Sequence, residues 1–131
     1  MRRVIIAGTR EFDDVYLLFA IMDDYRRIAK ELGKDDDYEV ICGGARGADA
    51  AGALWAYNRG LPVKHFPADW DADPRGAGYK RNEQMARYAS ERNGMLVAFW
   101  DEKSKGTKHM IDLAKQYGLE VRIIKYAKEV E

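Results

Sequence analysis

Tyr38-Glu39-Val40-Ile41-Cys42-Gly43-Gly44-Ala45-Arg46-Gly47-Ala48-Asp49 passes from a short apolar run, through a glycine-rich turn, into an alanine-rich stretch. A strand that ends in glycines and hands over directly to a helix is the repeating unit of a parallel sheet, because parallel neighbours need a crossover and a helix supplies it. Glycine at the handover lets the backbone approach an anion, and the unpaired N–H groups of the helix start, reinforced by its dipole, attract one. The same order recurs twice. Arg3-Val4-Ile5-Ile6-Ala7 runs into Gly8-Thr9-Arg10, and Met95-Leu96-Val97-Ala98-Phe99 runs into Trp100 to Thr107, with Ser104-Lys105-Gly106-Thr107 opening the next amphipathic stretch.

Outward from these turns the chain keeps one rhythm. Val15, Leu18, Phe19, Met22, Tyr25, Ile28, Ala29 and Leu32 recur at helical spacing, so a helix is predicted over 15–32, stopped by Gly33. Lys34-Asp35-Asp36-Asp37 is a solvated connector to the Tyr38–Cys42 strand. A helix follows over 49–57, then a strand over 62–66, a helix over 79–90 from Tyr79, Met85, Ala86, Tyr88 and Ala89, the strand 95–99, a helix over 107–117 and a last strand over 120–124. Between 67 and 78 two prolines, two glycines and three aspartates mark an ordered functional loop, longer than a tight connection needs. The expected fold class is α/β: an open parallel sheet of about five strands, order 3-2-1-4-5, with helices on both faces.

Composition bounds the function. The 131 residues suit one domain spanning 1–131, and 47% hydrophobic content suffices for a continuous core. Lys plus Arg and Asp plus Glu number 22 each, so no global field draws the protein to nucleic acid or anionic membrane, and any anion site must be local. Neither a charged-then-apolar leader nor an apolar run of membrane-spanning length is read, and the single Cys42 closes no intramolecular disulfide. A cytoplasmic setting without membrane association is the expectation.

In an open parallel sheet, ligands bind beyond the carboxyl ends of the strands, where the strand order reverses. Order 3-2-1-4-5 puts Gly8-Thr9-Arg10 and the Trp100–Thr107 segment across that crevice, with Gly43 to Asp49 beside them. Gly43, Gly44 and Gly47 permit backbone approach, Arg46 offers a bidentate phosphate contact, and Asp49 either caps its helix or accepts from a ribose hydroxyl. Ser104, Gly106 and Thr107 offer hydroxyls and free N–H groups. Arg10 follows the first strand directly, and Arg81 and Asn82 can point to the same edge. Asp69-Trp70-Asp71 and Trp100-Asp101 bring aromatics and carboxylates there, Trp70 and Trp100 being suited to stack on a base or to pack internally. The turns match neither G-x-G-x-x-G nor a P-loop. His65 lies in a strand and His109 in a helix, and no cluster has zinc spacing, so no metal site is expected.

Taken in order, Gly8-Thr9-Arg10-Glu11-Phe12, Gly43 to Asp49, Trp55-Ala56, Ala68-Asp69-Trp70, Gly76-Ala77-Gly78 with Arg81-Asn82-Glu83-Gln84-Met85, and Ser104-Lys105-Gly106-Thr107 resemble the YspA-type branch of the SLOG superfamily. These are Rossmann-like proteins related to the Lonely Guy phosphoribohydrolases and to the DprA DNA-processing proteins. The resemblance spans nearly the whole chain. It implies a nucleotide or nucleotide-derived, ADP-ribose-like ligand, with no further cofactor required. The Lonely Guy motif P-G-G-x-G-T-x-x-E places a catalytic glutamate three residues after its threonine. Here that place is Met110, and the lead-in is Lys103-Ser104-Lys105.

Three functions follow as expectations. The first is binding or sensing of a phosphate-bearing nucleotide. The second is N-glycosidic hydrolysis of such a ligand, with Asp49 or Glu11 as the catalytic carboxylate and Glu83 a further candidate. The third is DprA-like single-stranded DNA binding through Arg75, Lys80, Arg81, Arg87 and Arg92, which zero net charge disfavours. Analogy with related folds adds a homo-oligomer.

Overall fold

Strand and helix alternate along residues 1–126, the part of the chain that this computed structural model describes. The elements are β1 (Arg2–Gly8), α1 (Val15–Glu31), β2 (Tyr38–Cys42), α2 (Ala48–Asn58), β3 (Val63–His65), α3 (Ala77–Ser90), β4 (Met95–Trp100), α4 (Lys105–Gln116) and β5 (Glu120–Lys125). All neighbouring strands pair in parallel, in the order β3-β2-β1-β4-β5. This is the α/β, Rossmann-like architecture expected from the sequence.

The period-2 alternation of the strands divides the core in two. Val4, Ile6, Val40, Cys42, Met95, Val97 and Phe99 face one layer, where they meet Leu18 and Met22 of α1 and Ala48, Ala51 and Trp55 of α2. Ile5, Ala7, Ile41, Leu96 and Ala98 face the other, against Met85, Ala86 and Ala89 of α3 and Met110, Ile111 and Ala114 of α4. The split follows from handedness. Successive strands β1, β2 and β3 step one way across the sheet and β4 and β5 the other, so right-handed crossovers place their helices on opposite faces. The step from β3 to β4 reverses the direction, and it leaves a crevice between the carboxyl ends of β1 and β4.

The helix starts are built differently. Asp14 caps α1, its carboxylate accepting from Leu17 N at 3.0 Å, and Ser104 Oγ caps α4, accepting from Thr107 N at 3.4 Å. No side chain caps α2 or α3, which begin after Gly47 and Gly76. Asp49 is the second residue of α2, not its cap as one reading of the sequence had it. β1, α2, α3, β4 and β5 extend a residue or two beyond their expected bounds, β2 matches them, α1 ends one residue sooner, α4 starts two residues and ends one residue sooner, and β3 is shorter than 62–66. Its flanks still bond to β2, through Val40 N to Pro62 O at 2.9 Å and Phe66 N to Cys42 O at 2.9 Å.

Candidate functional site

The crevice at the switch point is a cleft of about 530 Å³, within the range of ligand pockets. Its walls come from the loops after β1 and β4, the α2 start, the α4 start and the first turns of α3. Four polar side chains are buried among the described residues: Thr9, Asp49, Asn82 and Thr107. All four line this cleft. A fold has no reason to collect its buried polar groups in one place for packing alone, since each costs desolvation unless paired.

Thr9 ties the two central loops together. Its N–H donates to Phe99 O at 3.0 Å, and its Oγ1 accepts from Asp101 N at 3.2 Å. Asp101 in turn organises the α4 approach, its Oδ1 accepting from the amides of Lys103 and Ser104 at 2.9 Å each. Burial alone would raise the Asp101 carboxyl, but those amides outweigh it and hold it below its ordinary value. Trp100 Nε1 donates to Ser104 O at 3.1 Å, which commits that ring to bracing the turn. The result is a cradle in which Ser104 Oγ and Thr107 Oγ1 stand 3.1 Å apart at the α4 start, beside Gly106.

Asp49 is 5% exposed. Burial pushes its carboxyl up to about 6, against the pull of the Arg81 guanidinium, the Ala45 and Gly43 amides and Arg10. Arg81 is itself partly buried, and desolvation draws its guanidinium below the ordinary value while Asp49 supports it. Arg81 Nη1 donates to Gly43 O, and a Cβ on Gly43 would lie 2.6 Å from Arg81 Cζ. At Gly43 the group that comes close to the backbone is the Arg81 guanidinium.

Asn82 is fully engaged. Its Oδ1 accepts from Arg81 Nε at 3.2 Å, and its Nδ2 reaches Gly106 O at 3.4 Å and His109 Nδ1 at 3.3 Å. It fastens α3 to the α4 cradle, which makes it a positioning residue. Met85 and Met110 give the cleft an apolar floor.

Of the residues singled out in the sequence, Gly8, Thr9, Arg10, Glu11, Asp49, Trp70, Arg81, Asn82, Ser104, Gly106 and Thr107 meet in the cleft lining. Gly43, Gly44, Arg46, Gly47 and Asp69 lie outside it. Arg46 is exposed and pairs loosely with Glu11 at 3.5 Å. Gly47 receives the Thr9–Arg10 backbone. Asp69 accepts from Ala72 N at 3.1 Å within its own loop. Glu83 pairs with Arg87 at 2.9 Å on the α3 surface, and Lys80 pairs with Asp73 at 2.7 Å, so the basic residues of α3 do not form one free strip. Arg75, Asp101 and Lys103 also line it, and Tyr79 joins the lining without having been singled out as a ligand contact. Among the described residues no group of His, Cys, Asp and Glu is arranged to hold a metal ion, and no helix is long and apolar enough to cross a membrane.

Residues 2–72, from β1 through the Trp70 loop, match the model of the YspA, cpYpsA-related SLOG family. The Gene 61 protein of Mycobacterium phage D29 is 33% identical over 129 residues, covering 92% of this chain and 94% of that protein. No solved structure gives a significant match. The family match covers more than half of the chain and the relative nearly all of it, so the chain belongs to the YspA, cpYpsA-related SLOG family.

Proposed function

We propose that the cleft binds a phosphate-bearing nucleotide or nucleotide-derived, ADP-ribose-like molecule. The observation that carries this is the gathering of Thr9, Asp49, Asn82 and Thr107, the buried polar side chains, around one cleft flanked by Arg10, Arg75 and Lys103. The phosphate grip in this reading is the Ser104–Gly106–Thr107 start of α4 together with Gly8, Thr9 and Arg10, where amides, hydroxyls and a guanidinium converge. SLOG membership supports a nucleotide-related ligand.

Thermal unfolding with AMP, ADP and ADP-ribose tests the reading. A ligand at a hundred times its Kd adds about 2.7 kcal/mol to stability, a rise of roughly 10 °C in Tm. No shift with any nucleotide, on protein shown to be folded, would sink it. Gly106→Ala separates ligand from fold. A Cβ there meets nothing within 4 Å, so the variant should be as stable as the parent or up to about 1 kcal/mol more so. The added methyl enters the cradle, and nucleotide affinity should fall about tenfold, a loss of about 1.4 kcal/mol. Unchanged affinity in a calorimetric titration would remove the α4 start from the grip.

A second reading is favoured by Asp49 alone. A buried carboxylate whose proton is held up to about 6 is suited to steady a developing oxocarbenium ion or to activate water in N-glycosidic cleavage. Glu11, exposed at the rim, is the weaker candidate for that role. Met110 is buried beneath the α4 start, so this chemistry would rest on a carboxylate placed differently from that of the Lonely Guy motif. Chromatography of AMP and ADP-ribose after incubation distinguishes the readings: free base supports hydrolysis, and intact nucleotide supports binding alone.

A further inference from the structure

Two large aromatic side chains stand exposed in the cleft: Trp70, 47% exposed, and Tyr79, 50% exposed. Other exposed hydrophobics, such as Tyr16, Leu32, Leu54 and Tyr57, lie outside this cleft. The chain spends structure on presenting this pair. Asp69 Oδ1 accepts from Ala72 N at 3.1 Å and Asp73 Oδ1 from Gly76 N at 2.9 Å, while Lys80 Nζ meets Asp73 at 2.7 Å, so both carboxylates staple the loop that carries Trp70.

The Trp70 ring lies over Gly78, where a Cβ would sit 3.1 Å from Cη2, so the glycine gives the indole room beside Tyr79. Tyr79 is held from behind. Its ring meets that of His109 edge-on, 4.5 Å between centroids at 80°, and His109 is placed by Asn82. The other two tryptophans differ from Trp70 in kind, since Trp55 is buried in the core and Trp100 is bonded to Ser104.

We infer that Trp70 and Tyr79 form the base-recognising wall of the cleft, so that the ligand must carry an aromatic base and its affinity depends on stacking against Trp70. This rests on the nucleotide reading and deepens it. The polar end of the cleft, Thr9, Ser104 and Thr107, selects for phosphate irrespective of the base. The aromatic end discriminates a nucleotide from a sugar phosphate. Stacking tolerates any base, because every base has a π-face, so the wall selects for aromaticity more than for base identity.

The test compares AMP with ribose 5-phosphate by calorimetry on the parent protein, Trp70→Leu and Trp70→Phe. The parent should bind AMP at least tenfold tighter than ribose 5-phosphate. Trp70→Leu should reduce AMP affinity about tenfold and leave ribose 5-phosphate unchanged, and Trp70→Phe should restore most of the difference. AMP should also quench the indole emission that Trp70→Leu removes. Equal affinities for AMP and ribose 5-phosphate in the parent, or an equal loss of both in Trp70→Leu, would overturn the inference while leaving the phosphate grip standing. Failure of the parent to bind either molecule would overturn the nucleotide reading and this inference with it.

Discussion

Gly47→Ala is expected to lower the unfolding free energy by about 4 kcal/mol, a fall in Tm of more than 10 °C. Two independent causes add. Gly47 has φ +80° and ψ −128°, a conformation that an L-residue enters only at a cost of about 1–3 kcal/mol. Its missing Cβ would also press on the Thr9 and Arg10 backbone, 2.7 Å from the Arg10 carbonyl carbon. Backbone cannot rotate away as a side chain end can, so the crowding costs a further 1–3 kcal/mol or so. Gly44→Ala is the matched control. It has φ +79° and nothing within 4 Å of its added Cβ, so it should lose only the conformational share, about 1–2 kcal/mol. Urea unfolding of the pair checks both terms, and equal losses would mean that the contact between the β1 and β2 loops carries no weight. Because that contact sets where Thr9 and Arg10 stand, Gly47→Ala should also weaken any ligand held by them.

Asp49→Asn is expected to act in the opposite direction. Raising the Asp49 carboxyl from 3.8 to about 6 in the folded state means that ionising it costs about 3 kcal/mol, at about 1.4 kcal/mol per unit. The folded protein holds this proton more tightly than the unfolded chain does. Below about pH 3 both states are protonated and the penalty is absent. Between about 4 and 6 the unfolded chain ionises first and stability falls. Above about 6 the loss is complete. Asparagine carries no such charge, so the variant should match the parent at pH 3 and exceed it by about 3 kcal/mol at pH 8. A gain that does not change between those pH values, or a loss, would refute the assignment. A carboxylate kept buried against its own stability is what a functional site carries. If Asp49 serves hydrolysis, base release should rise with pH through about 6, as the carboxylate forms, and vanish in Asp49→Asn. If the site only holds its ligand, the neutral variant should bind an anionic nucleotide at least as tightly as the parent does.

Much of this architecture was legible in the residues. Apolar runs passing into glycine marked β1 and β2 and their handovers, the alternation of strand and helix predicted a parallel sheet, and the expected order 3-2-1-4-5 is the one observed. That order alone put the Gly8 and Gly106 turns on opposite sides of one crevice. Local boundaries were less legible where a side chain overrode composition. Gly76-Ala77-Gly78 reads as loop, yet α3 starts at Ala77, because Asp73 gathers the Gly76 amide and its carbonyl receives Ala77 N at 3.0 Å.

The site was legible by type and not by contact. A glycine-rich turn signals close approach of something, but Gly43 and Gly47 receive Arg81 and the Thr9–Arg10 backbone, partners distant in sequence. Nothing in the local pattern distinguishes an approaching anion from an approaching protein group. Asn82 likewise bonds across 24 residues to Gly106 and across 27 to His109, and only the packing of α3 on α4 reveals it as a fastener. Tyr79 carried a signal that could have been used: it lies in the first turn of a helix, beside Gly78, on the edge where ligands bind.

The role proposed for the crevice between β1 and β4 is to hold a nucleotide by its phosphate. Crystals grown with AMP or ADP-ribose would test it most directly. Phosphate density within hydrogen-bond reach of the Ser104–Thr107 turn and of Thr9 is the predicted result. Nucleotide density elsewhere on the molecule, or an empty crevice at saturating ligand, would contradict it.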